Sequence, residues 1–518
     1  MDNLRRTTLR VILLVWLIPI TFVTVPEIKA QTVTAGILNK LTPVRGEISP
    51  PIEEAWEFNG MEGEVISFRV ESISGDFDPQ IRLTNNSRTI SISNDDYMAN
   101  SRNALLEAIT LPRTDTYRLS VSGFGETSGS YQLTLLPGYS NLGLEDSFDG
   151  DLSWDDLERS SNPLELTQID GQLRLALGGS SDVGVAFDVE QLLSADFFAQ
   201  VDVQIAGGSD GWIVGMTARQ QDVDNYYLFS VNQQGQWRFL IREDGDDRLI
   251  RDWTPHPAII VGGLTFKLGM MVNGGGFDFF YNDRLIGRID DFSIHEAGHI
   301  GLAVVTGGAI NSQSAAHFDN LVVTAPELID GERLVPQQIL IGTPNAIARD
   351  LQRQALIPAG GSMSLNVGES FIESQRPGVE RILLGRGTLY EHFAYGSTVS
   401  WEVLSAGLTG CGLVFQAMDE MHYRVAYVDQ SGAYGLSERI GDSFMPGVFG
   451  EKHDLVGNRH HLLVIVQEQR QLYYLDGFLV GTLATEAIEG SVGNAVVNFE
   501  PIRTSCSFTD SWVWNWSN

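Results

Sequence analysis

The sequence predicts an all-β chain: three antiparallel β-sandwich, jelly-roll-like domains with one short helix between the second and third. Three observations carry this. The 518 residues include 54 glycines and only 19% charged residues, a balance that favours turns and short strands over helical bundles. Apolar residues alternate with polar ones in runs such as VISFRVES and TYRLSVSG, the period of a half-buried strand. One strand–turn–strand pattern occurs twice in the second half of the chain. The length suits about three cores at roughly 150 residues each.

Residues 1–30 read as a signal peptide. The basic start MDNLRRTTLR precedes an apolar run of 15 residues, VILLVWLIPITFVTV, and a small residue, Ala30. The run is shorter than the ~20 residues a membrane span needs. The expected product is exported, secreted or at the cell surface, with no membrane span unless the signal is kept as an anchor. The formal charge of −32 grows more negative once Arg5, Arg6, Arg10 and Lys29 leave with Asp2 and Glu27. Such a surface repels phosphate backbones, so nucleic acid is excluded as a partner. Cys411 and Cys506 are the two cysteines, and in an exported protein an even pair suggests a disulfide.

Residues 31–137 form the first unit, built of the short alternating runs VISFRVES, PQIRLTN, RTISISN, TYRLSVSG and GSYQLTLL. Trp56 and Phe58, then Asp76, Asp78 and Pro79, the pair Asp95 and Asp96, Tyr117, and Gly129-Ser130-Tyr131-Gln132-Leu133 follow in an order that resembles the bacterial pre-peptidase C-terminal domain. That resemblance implies a non-catalytic accessory sandwich on a secreted protein. Residues 138–146, GYSNLGLED, read as a linker.

The repeat fills the rest. GWIVGMTARQQDVDNYYLFSVNQQGQWRFLI at 211–241 parallels GCGLVFQAMDEMHYRVAYVDQSGAYGLS at 410–437. Tyr227 pairs with Tyr423, Gly287 with Gly481 and Gly298 with Gly490, at a nearly constant offset. Asn282-Asp283 and Asp476-Gly477 have the chemistry of two-residue hairpin turns. The copies, 147–326 and a divergent 356–518, resemble concanavalin A-like or laminin G-like jelly rolls, with the pattern of secreted three-keto-disaccharide hydrolase relatives. DSFDGDL, FYNDRLIG and HFDNLVV carry the likeness in the first copy. Between them, in the connector 327–355, TPNAIARDLQRQAL has helical spacing behind a Thr-Pro start, which places one helix near 344–355, packed on the third domain.

His295-Glu296-Ala297-Gly298-His299 has the spacing of a zinc protease helix. Its context argues against that chemistry, because Gly298 interrupts the helix and the β-rich run GLAVVTGG follows. The repeat aligns it with Ala487–Ser491, so the shared pattern is a turn entering a strand. Asp76, Asp78, Asp95 and Asp96 come from two loops and are candidates for weak calcium binding; no other cofactor is expected. Asp222, Asp224 and Asn225 lie at a turn, where they cap their own backbone or contact a ligand. Glu243–Asp247, EDGDD, falls in a glycine-centred hairpin tip. Tyr226, Phe229, Trp237, Phe279 and Tyr281 alternate along strands, as either a core or a sugar-stacking face. No E-x-D-x-x-E strand, nucleophile elbow or P-loop is present, so no catalytic residue is assigned.

The function expected from this is binding without catalysis, of a glycan or another extracellular polymer or protein. A sugar hydrolase in 147–326, or a structural surface module, is the alternative.

Overall fold

The computed structural model describes residues 31–517 except 75, 99–100, 151–152, 157–163, 179–182, 189–192, 207–210, 307–312, 402–408 and 451–456. Residues 1–30, read above as a signal peptide, lie outside the described residues. Three pairs of facing sheets follow one another along the chain.

In the first sandwich a five-stranded sheet faces a four-stranded one. Its core includes Phe58 and Tyr117, whose rings stack at 5.3 Å. One pairing departs from the antiparallel expectation: Gln31–Ile37 runs parallel to Ile52–Gly60.

The expected linker is largely a strand. Asn141–Asp146 pairs antiparallel with residues 321–325, adding an edge to the second sandwich. The preceding residues 137–140 are buried. Tyr139 donates its hydroxyl to the Val272 carbonyl, and its ring packs with Val65, Phe198, Met271 and Phe280. The run lacked visible periodicity because it is a seam, buried by two neighbours at once.

The second and third sandwiches share one strand order. One sheet of the second runs Gln313–Ala325, Phe197–Ile205, Thr265–Asn273, Gly276–Tyr281, Arg284–Asp290. The third runs Thr504–Asn515, Phe393–Trp401, Arg459–Gln467, Arg470–Leu475, Phe478–Leu483 in the same sequence. The opposed sheets match likewise, with His299–Val305, Ile213–Gln220 and Tyr226–Asn232 in the places of Ser491–Asn498, Thr409–Ala417 and His422–Asp429. Backbone irregularities coincide too. Arg219 and Gln416 sit in β-bulges at φ 47° and 48°, and Asn320 and Asp510 at 49° and 52°. The turns Asn282-Asp283 and Asp476-Gly477 both have positive φ at each residue, as a two-residue hairpin turn of the primed type requires. Next to the bulges, Ala218 faces Tyr227 whereas Phe415 faces Arg424. Tyr227 therefore corresponds to Arg424, and Tyr423 to Tyr226; the sequence pairing was one residue out, which in a strand reverses the face.

That shift has a chemical consequence. In the second sandwich the bulge residue Arg219 donates to the Ile294 carbonyl at 2.7 Å. In the third the bulge residue is Gln416, and a guanidinium arrives from the neighbouring strand: Arg424 donates to Glu486 O at 3.0 Å. Each carbonyl lies four residues before the glycine, 298 or 490, that closes the loop. The corresponding carbonyl is satisfied from two different positions.

Cys411 and Cys506 are bonded and buried, with Cα atoms 5.8 Å apart. They belong to different sheets. The bond spans the sandwich, and its cysteines stand where Val214 and Ala316 do in the second core.

The helix Pro344–Arg353 buries Ile347, Ala348 and Leu351 against Leu463, Ile465 and Trp512 of the third sandwich. Proline suits its first turn, where the missing N–H would have no helical partner. Arg353, in its last turn, reaches the second sandwich and pairs with Asp278 at 2.6 Å and Asp290 at 2.8 Å. Upstream, Arg333 pairs with Asp196 at 2.7 Å. Gln337 and Gln338 bond by side chain to Leu105, Glu107 and Thr110 of the first sandwich. Their backbones meanwhile lie along the third, where Ile339 donates to Gly477 O and Leu479 to Gln337 O. The connector thus ties all three sandwiches together. No helix among the described residues is long and apolar enough to cross a membrane.

Candidate functional site

An aromatic face on the third sandwich is the most site-like surface of the chain. It is the outward side of the sheet that carries Cys411 on its inward side. Alternation along Thr409–Ala417 puts Cys411, Leu413 and Phe415 in the core and turns Gly410 and Gly412 outward. Along His422–Asp429 the outward residues are Tyr423, Val425 and Tyr427. One transverse row reads Arg381, Ala495, Gly412, Tyr427, Gly435, Phe449.

Glycine is needed beside Tyr427. A Cβ on Gly435 would lie 2.6 Å from Tyr427 Cε1 and 2.9 Å from Phe449 Cδ1, and one on Gly410 3.1 Å from Tyr427 Cδ2. The ring therefore lies low between two side-chain-free positions. Phe499 joins it at 5.5 Å between centroids. Phe449, Phe499 and Phe444 are 58%, 50% and 48% exposed, so their rings offer open surface. Tyr423 is covered instead, with the Arg381 guanidinium 4.3 Å and the Arg439 guanidinium 5.7 Å from its ring centre. Arg381 is held by the Asp419 carbonyl and Arg439 by the Tyr423 hydroxyl. Burial pushes the Tyr427 phenol upward, with Asp429 adding to it, so the ring is neutral at ordinary pH.

The same location differs in the second sandwich. Ser230 stands where Tyr427 does, and Tyr226, Leu228, Leu240, Ala303 and Val305 form a buried apolar cluster around it. Phe229, Trp237, Phe279 and Tyr281 point inward, with Phe229 and Phe279 rings 4.7 Å apart. The five aromatics named from the sequence are all buried packing groups, and none is an exposed platform.

His295-Glu296-Ala297-Gly298-His299 is a loop entering the strand His299–Val305. Gln221 holds the Glu296 and Ala297 carbonyls, and the His299 ring packs 4.8 Å from Phe187. Gly298 is required because a Cβ there would meet the Arg219 carbonyl carbon at 2.5 Å; at Gly490 the clash with Gln416 is 2.4 Å. The motif is a strand entry crossing a bulge.

The four aspartates of the first sandwich divide. Asp76 points to solvent and pairs with Arg102 at 3.6 Å. Burial, then Asp78 and Asp95, raise the Asp96 pKa, so these three share a neighbourhood. Among the described residues no three His, Cys, Asp or Glu side chains are grouped to hold a metal. Asp222 accepts from the Asp224 amide at 2.7 Å and from Asn225 Nδ2 at 3.0 Å, while Asn225 Oδ1 accepts from the Asp244 amide at 3.0 Å. A ligand at Asp222, Asp224 and Asn225 would compete with hydrogen bonds that shape the turn. Asp244 and Gly245 both have positive φ, at the hairpin tip expected there.

No family model matches the chain, and no curated protein matches it. Solved structures do. A carbohydrate-binding module from Bacillus subtilis aligns at 19% identity and TM-score 0.27, covering 33% of this chain and 96% of that one. A β-glucanase from Bacillus licheniformis aligns at 12% and 0.28, covering 36% and 97%. A pre-peptidase C-terminal domain of a Bacillus anthracis collagenase aligns at 19% and 0.17, covering 20% and 94%. Each likeness spans about a third of the chain or less, and at these scores says nothing of activity.

The aromatics that the sequence singles out all lie in the first copy, and Tyr427, Phe449 and Phe499 are not among them. The available signal was glycine at every second position of GCG, set against alternate tyrosines in HYRVAYVD.

Proposed function

We propose that the protein is exported and binds neutral glycan without catalysis, using the outward face of its third sandwich. The observation that carries this is the open row of Tyr427, Phe449 and Phe499 beside fixed arginines. Aromatic faces stack on the C–H faces of sugar rings, and flanking polar groups orient the hydroxyls. The acidic surface favours a neutral polymer over an acidic one. A leader-like N-terminus and a buried disulfide support export. The strands Ile213–Gln220, Tyr226–Asn232 and His299–Val305 contain no Asp or Glu at all. A retaining glycosidase needs two carboxyl groups ~5 Å apart on such a face, and these three central strands supply no such pair.

A glycan array with the full chain and Tyr427→Ala tests the reading. Binding that Tyr427→Ala leaves untouched removes this face from the proposal. Release of reducing sugar from a polysaccharide panel replaces it with a hydrolase.

A further inference from the structure

A groove of about 470 Å³ runs along the seam between the second and third sandwiches. It is well separated in the fold from the aromatic face: that face belongs to one sheet of the third sandwich, whereas the groove meets Gln467 and Glu468 at a hairpin tip of the opposite sheet. Phe292 and His295 stand on one wall, Glu468 and the buried Trp516 on the other, and Gln352, Ala355 and residues 357–359 close it along the connector.

The walls are fixed. Gly275 leaves room for the Phe292 ring, since a Cβ there would fall 2.0 Å from Phe292 Cε1. Gly274, at φ +54°, packs on the Arg353 carbonyl. Gln352 Nε2 donates to the carbonyls of Pro358 and Ala359, holding that edge in shape. The floor is the buried pair Arg219–Asp196, 3.3 Å apart.

The chemistry of the lining narrows the occupant. Arg219 is fully committed: its Nε donates to Ala195 O, Nη1 to Ile294 O, and Nη2 to Asp196 and Gly274 O. Asp196 is committed to Arg219, Arg333 and the Gly274 amide. An anionic ligand therefore meets no free guanidinium, and the Glu468 carboxylate repels it. The exposed groups are the His295 imidazole, the Glu468 carboxylate and the Phe292 ring, which is 37% exposed, whereas Trp516 is buried in the core beneath them. A neutral ring with hydroxyls on its rim and C–H bonds on its faces uses all three.

We propose that this seam is a second carbohydrate subsite, taking one or two neutral sugar units against the Phe292 ring, with His295 and Glu468 bonding their hydroxyls. The volume is at the lower end of small-ligand sites. The inference rests on the sugar-binding reading above but not on the same surface, so the two can fail separately.

The test is calorimetric titration of the full chain with laminaritetraose, cellotetraose, mannotetraose and levantetraose at millimolar concentration, alongside tryptophan fluorescence. The variants are Phe292→Ala, Glu468→Gln and Tyr427→Ala; Glu468 is exposed and its exchange leaves the core intact. Two classes of site are expected. Phe292→Ala and Glu468→Gln should each weaken one class about tenfold, the scale of one stacked ring or one hydrogen bond to a charged group, and leave the Tyr427 class unchanged. Binding lost in Tyr427→Ala but unaffected by both seam variants overturns the seam and keeps the face. Binding weakened only by the seam variants keeps the seam and overturns the face. No binding of any of the four overturns both.

Discussion

His460 and His461 open a strand and read in the sequence as a polar start. The structure buries both. His460 Nδ1 lies 2.7 Å from Asp476 Oδ2, and the His461 amide donates to Asp476 Oδ1 at 2.8 Å, so one turn aspartate fixes the pair. The His461 ring has no such partner close enough to keep a charge, and burial lowers its pKa to about 4 against the attraction of Asp476. That value lies below the ordinary 6.5, so the unfolded chain takes up the proton first as pH falls. Stability is complete above about pH 6.5 and drains as pH drops toward 4, by on the order of 3 kcal/mol from this residue. Urea midpoints measured at neutral pH and near pH 4.5 should diverge in the native chain and diverge less in His461→Leu; parallel behaviour of the two proteins would refute the assignment. At the same scale, the purified chain should carry no stoichiometric zinc, because His295 and His299 lie on a loop and a strand. Stoichiometric zinc together with casein cleavage that is lost in Glu296→Gln would reverse that view.

The strand-crossing glycines and the disulfide set the energetics of whole elements. Gly298 and Gly490 each press on the backbone of a bulge, not on a movable side-chain tip. Gly298→Ala or Gly490→Ala should destabilise by at least about 2 kcal/mol, read as a shift in thermal midpoint; a neutral result would mean that the bulge relaxes. The disulfide closes a sequence separation of 95 residues, worth roughly 4 kcal/mol in the chain-entropy picture. Alkylation of denatured exported protein should find no free thiol, and Cys411→Ser with Cys506→Ser should lower the unfolding midpoint. Strands were legible in the sequence because period-two patterning survives one-sided burial, and the turns at 282–283 and 476–477 declared themselves by residue type. The helix was legible from Thr343-Pro344. Face assignment was harder: a bulge at Arg219 or Gln416 adds one residue, and one residue exchanges inside for outside. That is why Tyr227 and Tyr423 were paired although one is a core residue and the other faces outward. The aromatic face stayed hidden for the same reason, since nothing in HYRVAYVD says which alternate set is open.

At the scale of the molecule, charged groups at the seams act as clamps. Glu107, from the first sandwich, is bonded by Ser140 and by the Glu327 amide, and Arg69 pairs with Glu327. Arg353 bridges to Asp278 and Asp290. These contacts predict a body of fixed shape, unlike three beads on a string. Small-angle scattering of Arg353→Ala should show a larger radius of gyration than the native chain; identical curves would assign the rigidity to the apolar contacts alone. The glutamine pair in the connector has a second consequence. Strand Ala104–Thr110 is the outermost of its sheet, and such a border presents unmatched amides and carbonyls to any other extended chain. Gln337 and Gln338 occupy those groups at Leu105, Glu107 and Thr110 with side-chain amides, which imitate a neighbouring strand yet offer nothing for another to extend. They are a guard against self-templating. Gln337→Ala with Gln338→Ala should leave a folded protein whose light scattering climbs with concentration while the native chain stays monodisperse.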